Sequence, residues 1–298
     1  MCAETAAVSH RSSISQLTDL DGTLLGARLT CLTLLFVPVG GWYLRPAVLV
    51  LAAAGLLFGD ICRSRWLWLA LAFLTGMRAV LDWPLADNHA YLLAYWCTAL
   101  AIATWTGDLI ILSRNARLLI GLTFAFAALQ KWTSPSYVND VFFLTTFLLD
   151  DRFEDLVVLL TSISYEQIDV AREYLRADYR SGPPPGDLPF ELPWSFLLLA
   201  RLSTWWNLLD QVLVGAAFLV SPASRLGRLR DPVLLLFCFV TYAAAPVVSF
   251  GWLLLSMGVT QSEKAPSVRY GYLSAFVVLV VYHEVPWAEV LVDTFALD

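Results

Sequence analysis

Apolar residues run in long blocks separated by short polar stretches. A membrane-spanning helix needs ~20 mostly apolar residues. Eight blocks approach that length, at about 24–44, 46–62, 66–83, 89–113, 117–132, 195–220, 232–258 and 267–283. The pattern predicts an all-α integral membrane protein of about eight transmembrane helices. Short connections among the first helices predict antiparallel neighbours. No internal repeat is visible.

Residues 133–194 break this pattern. They carry eleven acids against four arginines. Thr133-Ser134-Pro135-Ser136 reads as a helix stop and restart. Val141 to Leu149 is apolar but too short to span, which predicts an interfacial or re-entrant helix. Residues 153–179 repeat apolar positions at helical spacing, and Ser181-Gly182-Pro183-Pro184-Pro185-Gly186 predicts a stiff linker. The expected organisation is a cytoplasmic segment at 1–23, helices at 24–132, a small helical extracytoplasmic insertion at 133–194, helices at 195–283 and a tail at 284–298. No hydrophilic segment is long enough for a separate catalytic domain.

Composition strengthens the membrane reading. Of the residues, 58% are apolar and 15% charged, with twelve Trp, eleven Tyr and seventeen Phe. Soluble domains average about 45–50% apolar and about 25% charged. This excludes a disordered chain, a coiled coil and a nucleic-acid binder, and the net charge of −6 points to no polyanionic partner. The N-terminal residues lack the apolar core and cleavage site of a signal peptide. Cys2, Cys31, Cys62, Cys97 and Cys238 show no metal-ligand spacing and read as small core residues, with no disulfide framework.

Charge at the block edges gives an orientation. Arg11, Arg63, Arg65, Arg114, Arg117, Arg225, Arg228 and Arg230 fall on one side. Arg45, Asp82, Asp87, the acidic stretch, Glu263, Lys264 and Arg269 fall on the other. The more basic side is expected to be cytoplasmic, with both termini inside a bacterial-type cell membrane.

Ionisable groups inside apolar blocks are costly and tend to be functional. His89 opens the fourth block in Asp87-Asn88-His89-Ala90-Tyr91-Leu92, and Lys131 closes the fifth in Ala127-Ala128-Leu129-Gln130-Lys131-Trp132. Both are expected toward the outer face of one antiparallel hairpin. Counted from Arg117 at ~1.5 Å per residue, Lys131 lies about 21 Å up, short of the ~30 Å core. A buried amine, if neutral, is a usable general base. The competing reading is a lysine that snorkels beside Trp132, and a helix-start histidine at the interface. Asp210 sits mid-block, as a functional group or as a hydrogen-bonded tie between helices. Arg201 lies on roughly the opposite face. Arg78 and Asp82 are spaced for an ion pair, and Asp108 is expected to meet Arg114 or Arg117.

The His89 and Lys131 segments together resemble the transmembrane domain of vitamin K-dependent gamma-carboxylases and their bacterial relatives, the HTTM (horizontally transferred transmembrane) proteins. Asp87-Asn88-His89-Ala90-Tyr91-Leu92 is similar to the family's Asn-Asn-His-x-Tyr-Leu segment, with Asp87 in place of the first Asn. Phe126-Ala127-Ala128-Leu129-Gln130-Lys131 is similar to an Ala-Gly-x-x-Lys segment, with Ala128 where Gly is usual. Leu209-Asp210, followed by Gly215 and Phe218, resembles a later segment. The resemblance covers about residues 24–260. It implies that Lys131 is the base that deprotonates a reduced, vitamin K-like quinone, that His89 assists, and that Asn88, Tyr91 and Asp210 line the ligand pocket. Two departures stand out. Residues 242–251 lack the family's His and Asn, and the chain ends at Asp298 without a large extramembrane domain. A quinone-handling or other oxidative activity is therefore expected in preference to full peptide carboxylation.

Two alternatives remain. One is a non-catalytic membrane subunit or scaffold whose acidic segment 133–194 docks a membrane or extracytoplasmic protein. The other is a small-molecule transporter, for which no pair of Gly/Pro-broken spans appears in matching halves.

Overall fold

A computed structural model describes residues 21–181, 190–245, 247–262 and 265–295. The described residues form helices and turns with no strand. In chain order the helices are α1 (Gly22–Phe36), α2 (Arg45–Leu57), α3 (Gly59–Cys62), α4 (Arg65–Leu81), α5 (Asn88–Thr106), α6 (Leu109–Trp132), α7 (Pro135–Val138) and α8 (Val141–Leu149). After a 3-10 turn at Asp151–Phe153 come α9 (Glu154–Leu160), α10 (Tyr165–Ser181), α11 (Trp194–Leu219), α12 (Arg225–Arg228), α13 (Arg230–Ala244), α14 (Val248–Gln261), α15 (Pro266–His283) and α16 (Trp287–Phe295).

The expectation of about eight transmembrane helices is overturned. Among the described residues, one helix, Ile110–Trp132, is long and apolar enough to cross a membrane. Several apolar blocks were longer than the helices they contain. α1 stops after 15 residues, ahead of Pro38 and of Gly40 with its φ of 71°. α2 has only 13 residues, about 20 Å at 1.5 Å per residue against a ~30 Å core. α4 has 17. The block 232–258 divides into α13 and α14, of 15 and 14 residues. α11 is long enough, at 26 residues, but carries Arg201, Asn207, Asp210 and Gln211.

The fifth block was also misplaced. α5 ends at Gly107, whose left-handed φ of 71° no β-carbon favours. Asp108, expected to meet Arg114 or Arg117, has a capping role. Its Oδ1 instead accepts from the backbone N–H groups of Ile110 (2.9 Å) and Ile111 (3.1 Å), which starts α6. The other ends follow similar rules. Asp87 Oδ1 accepts from Ala90 N at 2.7 Å to cap α5, and Pro135 opens α7. The Arg78–Asp82 pair forms as the spacing suggested, at 3.2 Å.

The chain divides into two compact units, residues 1–116 with 252–273 and residues 117–251 with 274–298. In the first, α4 packs along α5 and α1 along α2. Trp96 Nε1 donates to Thr30 Oγ1 at 2.9 Å, and Trp68 Nε1 to the Cys62 carbonyl at 2.8 Å, both buried. Cys31, Cys62 and Cys97 are free and buried here, and Cys238 is so in the second unit.

In the second unit α6 crosses α11 antiparallel through small residues. A β-carbon on Gly215 would lie 3.0 Å from the Ala125 backbone nitrogen, and one on Gly121 2.8 Å from the Leu219 side chain. Small residues permit this approach. Beside it, Phe147, Leu148, Phe153, Val157, Ile163, Ile168 and Ala171 bury a core of their own with Phe196 and Ala200 of α11. The short apolar helix at Val141–Leu149 thus belongs to a packed helical layer. Among the residues flagged from sequence, 1–20, the linker residues 182–186, Glu263, Lys264 and 296–298 lie outside the described residues.

Candidate functional site

The crossing of α6 and α11 sets Lys131, in the last turn of α6, against Asn207 of α11. The Lys131 amine donates a hydrogen bond to Asn207 Oδ1. The same oxygen accepts from the Tyr137 hydroxyl at 2.9 Å and from Gln211 Nε2 at 3.0 Å. The amine also lies 4.9 Å from the centre of the Tyr137 ring, a distance at which a ring face attracts a cation. Tyr137 is held by α7 and by a stacking contact with Phe142, centroids 4.6 Å apart.

Thr204, Asn207, Asp210 and Gln211 recur at helical spacing of three and four, so α11 presents them on one stripe. Asp210 is 8% exposed, and neither carboxylate oxygen has a hydrogen-bond partner. Lys131 and Asp210 are each within electrostatic reach of the other. The buried oxygens of Thr204, Gln211 (Oε1) and Tyr242 also lack partners. Arg201 turns away and binds Asp140 at 3.0 Å, in keeping with its opposite face.

α11 is inverted relative to a helix of a water-soluble protein. Its polar stripe faces inward while Leu202, Trp206, Leu209 and Val212 are exposed, Leu209 at 60%. α6 exposes Leu118, Leu122, Phe126 and Leu129 at similar helical spacing.

Lys131 and Asp210 therefore come together in the second unit. Asn88, His89 and Tyr91 belong to the first, at the start of α5. There His89 Nδ1 lies 3.9 Å from Asp87 Oδ1, and Asn88 is exposed. The depth argument for Lys131 changes. Since α6 starts before Arg117, Ile110 to Lys131 covers about 32 Å at 1.5 Å per residue, a full core thickness. Shelter for the amine comes from Tyr137 and Asn207 packed over it, with depth contributing little.

Sequence reasoning missed Asn207, Gln211 and Tyr137 as members of the cluster. The spacing of Asn207 and Gln211 around Asp210 was the available signal. Among the described residues no group of three or more His, Cys, Asp or Glu could hold a metal ion. No family model, curated protein or solved structure matches this chain.

Proposed function

We propose that this chain is a membrane-associated helical protein whose functional centre is the Lys131–Asp210 pair, acting on the protons of a hydroxyl-bearing aromatic ligand of the reduced-quinone type. The carrying observation is the buried carboxylate of Asp210, with two unpartnered oxygens within electrostatic reach of the Lys131 amine, on a helix whose outer face is apolar. An unpartnered buried carboxylate is costly, and a ligand hydroxyl is a donor that would relieve it.

The residues fit such a group. Asp210 accepts from a hydroxyl, and Gln211 Oε1 offers a further polar contact. When bound, a quinol supplies two electrons and two protons for oxidative chemistry. The chain's own part is proton handling. A ligand hydroxyl placed between Lys131 and Asp210 would exchange its proton with either group, Asn207 orients the amine, and the apolar exterior of α6 and α11 keeps bulk water away. Low local polarity strengthens each of these interactions.

The purified full-length chain, extracted with organic solvent, should release a quinone detectable by mass spectrometry. Lys131→Ala and Asp210→Asn should each deplete it while helicity by circular dichroism is retained. Absence of any quinone from the wild-type chain defeats the reading.

The convergence of three donors on Asn207 favours a second reading, a structural clamp in a non-catalytic scaffold. Asn207→Ala would then lower the melting temperature as much as Lys131→Ala, with no ligand in either extract.

A further inference from the structure

The second unit holds a cavity of about 280 Å³ to which neither α6 nor α11 contributes a lining residue. Its wall is built where four helices start or stop. Asp155 comes from α9, Tyr242 and Ala243 from the end of α13, Tyr282 from the end of α15, and Trp287 and Glu289 from the first turn of α16. The elements are fixed to one another. The Tyr282 hydroxyl donates to the Ala243 carbonyl at 2.7 Å, and the Tyr282 and Trp287 rings lie nearly parallel, 6.0 Å apart.

The charge of this lining favours a cation. It contains two carboxylates, Asp155 and Glu289, and two basic groups, Arg152 and His283. Arg152 is already engaged with Asp150, through Nε at 2.9 Å and Nη2 at 2.6 Å, so its charge is met. The C-terminal ends of α13 and α15 reach the cavity together with the N-terminal turns of α9 and α16, so the helix dipoles offset and the two carboxylates carry the preference. Three aromatic side chains, Tyr242, Tyr282 and Trp287, complete the lining. Aromatic faces with nearby carboxylates are the chemistry that recognises organic ammonium groups, because the ring quadrupole attracts a weakly hydrated cation. A metal ion would want several oxygen ligands converging on one point, and no such group occurs among the described residues.

We infer that the cavity lined by Asp155, Tyr242, Tyr282, Trp287 and Glu289 binds a small organic ammonium group, of the kind carried by a choline headgroup or by a free quaternary amine. The volume is enough for such a head and too small for a drug-sized molecule. Trp287 is 44% exposed, which leaves the mouth open to a tethered ligand. The proposal is independent of the role of Lys131.

The test uses the full-length chain in maltoside detergent. Choline chloride is titrated calorimetrically, with sodium chloride as the ionic control. One saturable site is expected, weakened about tenfold by Glu289→Gln and by Trp287→Leu, the loss of one strong cation contact. Both residues are exposed enough for the variants to fold, and circular dichroism checks that they do. A second arm reconstitutes the chain in mixed phosphatidylcholine and phosphatidylglycerol and measures the lipid that co-purifies. Enrichment of phosphatidylcholine by wild type and not by the variants assigns the headgroup. Saturable choline binding without enrichment assigns the free amine. No saturable choline site, or one unchanged in both variants, overturns the proposal.

Discussion

Gly215 and Ala125 meet backbone to backbone where α11 crosses α6, with little room for a β-carbon on residue 215. A methyl group at 215 would sit 3.0 Å from a backbone nitrogen, and backbone yields less readily than a side chain. Gly215→Ala should destabilise the protein by about 1–3 kcal/mol through overpacking, and Gly215→Leu by more. Thermal unfolding in detergent measures this. Because the same crossing sets Lys131 against Asn207, Gly215→Leu should also release Lys131. Faster reaction of its amine with an acylating reagent reports that release.

Lys131 and Asp210 should be energetically coupled. Removing the amine leaves a buried carboxylate that has lost the cation acting on it. Lys131→Met should cost up to about 3 kcal/mol, toward the lower end for a buried pair because the lysine is only partly buried. Adding Asp210→Leu should return much of that loss, since a well-packed apolar pair replaces a buried ionic one at little cost. A double-mutant cycle of melting temperatures with no coupling would show that the two side chains act separately.

In the acidic segment the test residue is Arg172. It is 7% exposed and binds Glu154 at 2.5 Å, Asp151 at 3.3 Å and the Leu148 carbonyl at 3.0 Å. Arg172→Met strands these acceptors and should destabilise the local layer by about 3 kcal/mol. Arg172→Lys should rescue little, because a single ammonium cannot reproduce the planar fork. Hydrogen exchange should show faster opening of α8 to α10 in both variants.

Membrane association can be read from labelling. A photoreactive lipid probe should mark the exposed face of α6 at Leu118, Leu122, Phe126 and Leu129, and the exposed face of α11 at Leu202, Leu209 and Val212. Buried Phe124 and Leu208 should stay unmarked. Equal labelling of both sets, or of neither, would count against a lipid-facing exterior.

All-helical character was legible because apolar blocks of about 16–27 residues far exceed strand length and the acidic stretch repeats at helical spacing. Helix lengths were not. Hydropathy does not register a left-handed Gly107 or the stop of α1 before Gly40, and an apolar loop counts the same as an apolar helix. The span count failed for that reason. Lys131 and Asp210 stood out because charge in an apolar run is rare. Their meeting depended on the register of α6 against α11, which Gly121 and Gly215 set and no local pattern reveals. Asn207 and Gln211 were hidden by being uncharged. The relation of His89 to Lys131 rested on a hairpin whose turn lies at Gly107–Asp108, earlier than the sequence suggested.

The aromatic core under the acidic segment has a consequence for how the chain assembles. α6 and α11 must pair although residues 133–193 separate them. Phe196 and Ala200 at the start of α11 belong to the same core as Phe147 and Val157. Once that layer condenses, the first turns of α11 are already tethered near α6, and the effective loop is much shorter. Each halving of a loop recovers about 0.6 kcal/mol of closure entropy. The acidic segment would then serve as a clasp that brings two distant helices into register. Pulse-labelled hydrogen exchange during refolding should find α8 to α10 protected before the α6–α11 crossing closes.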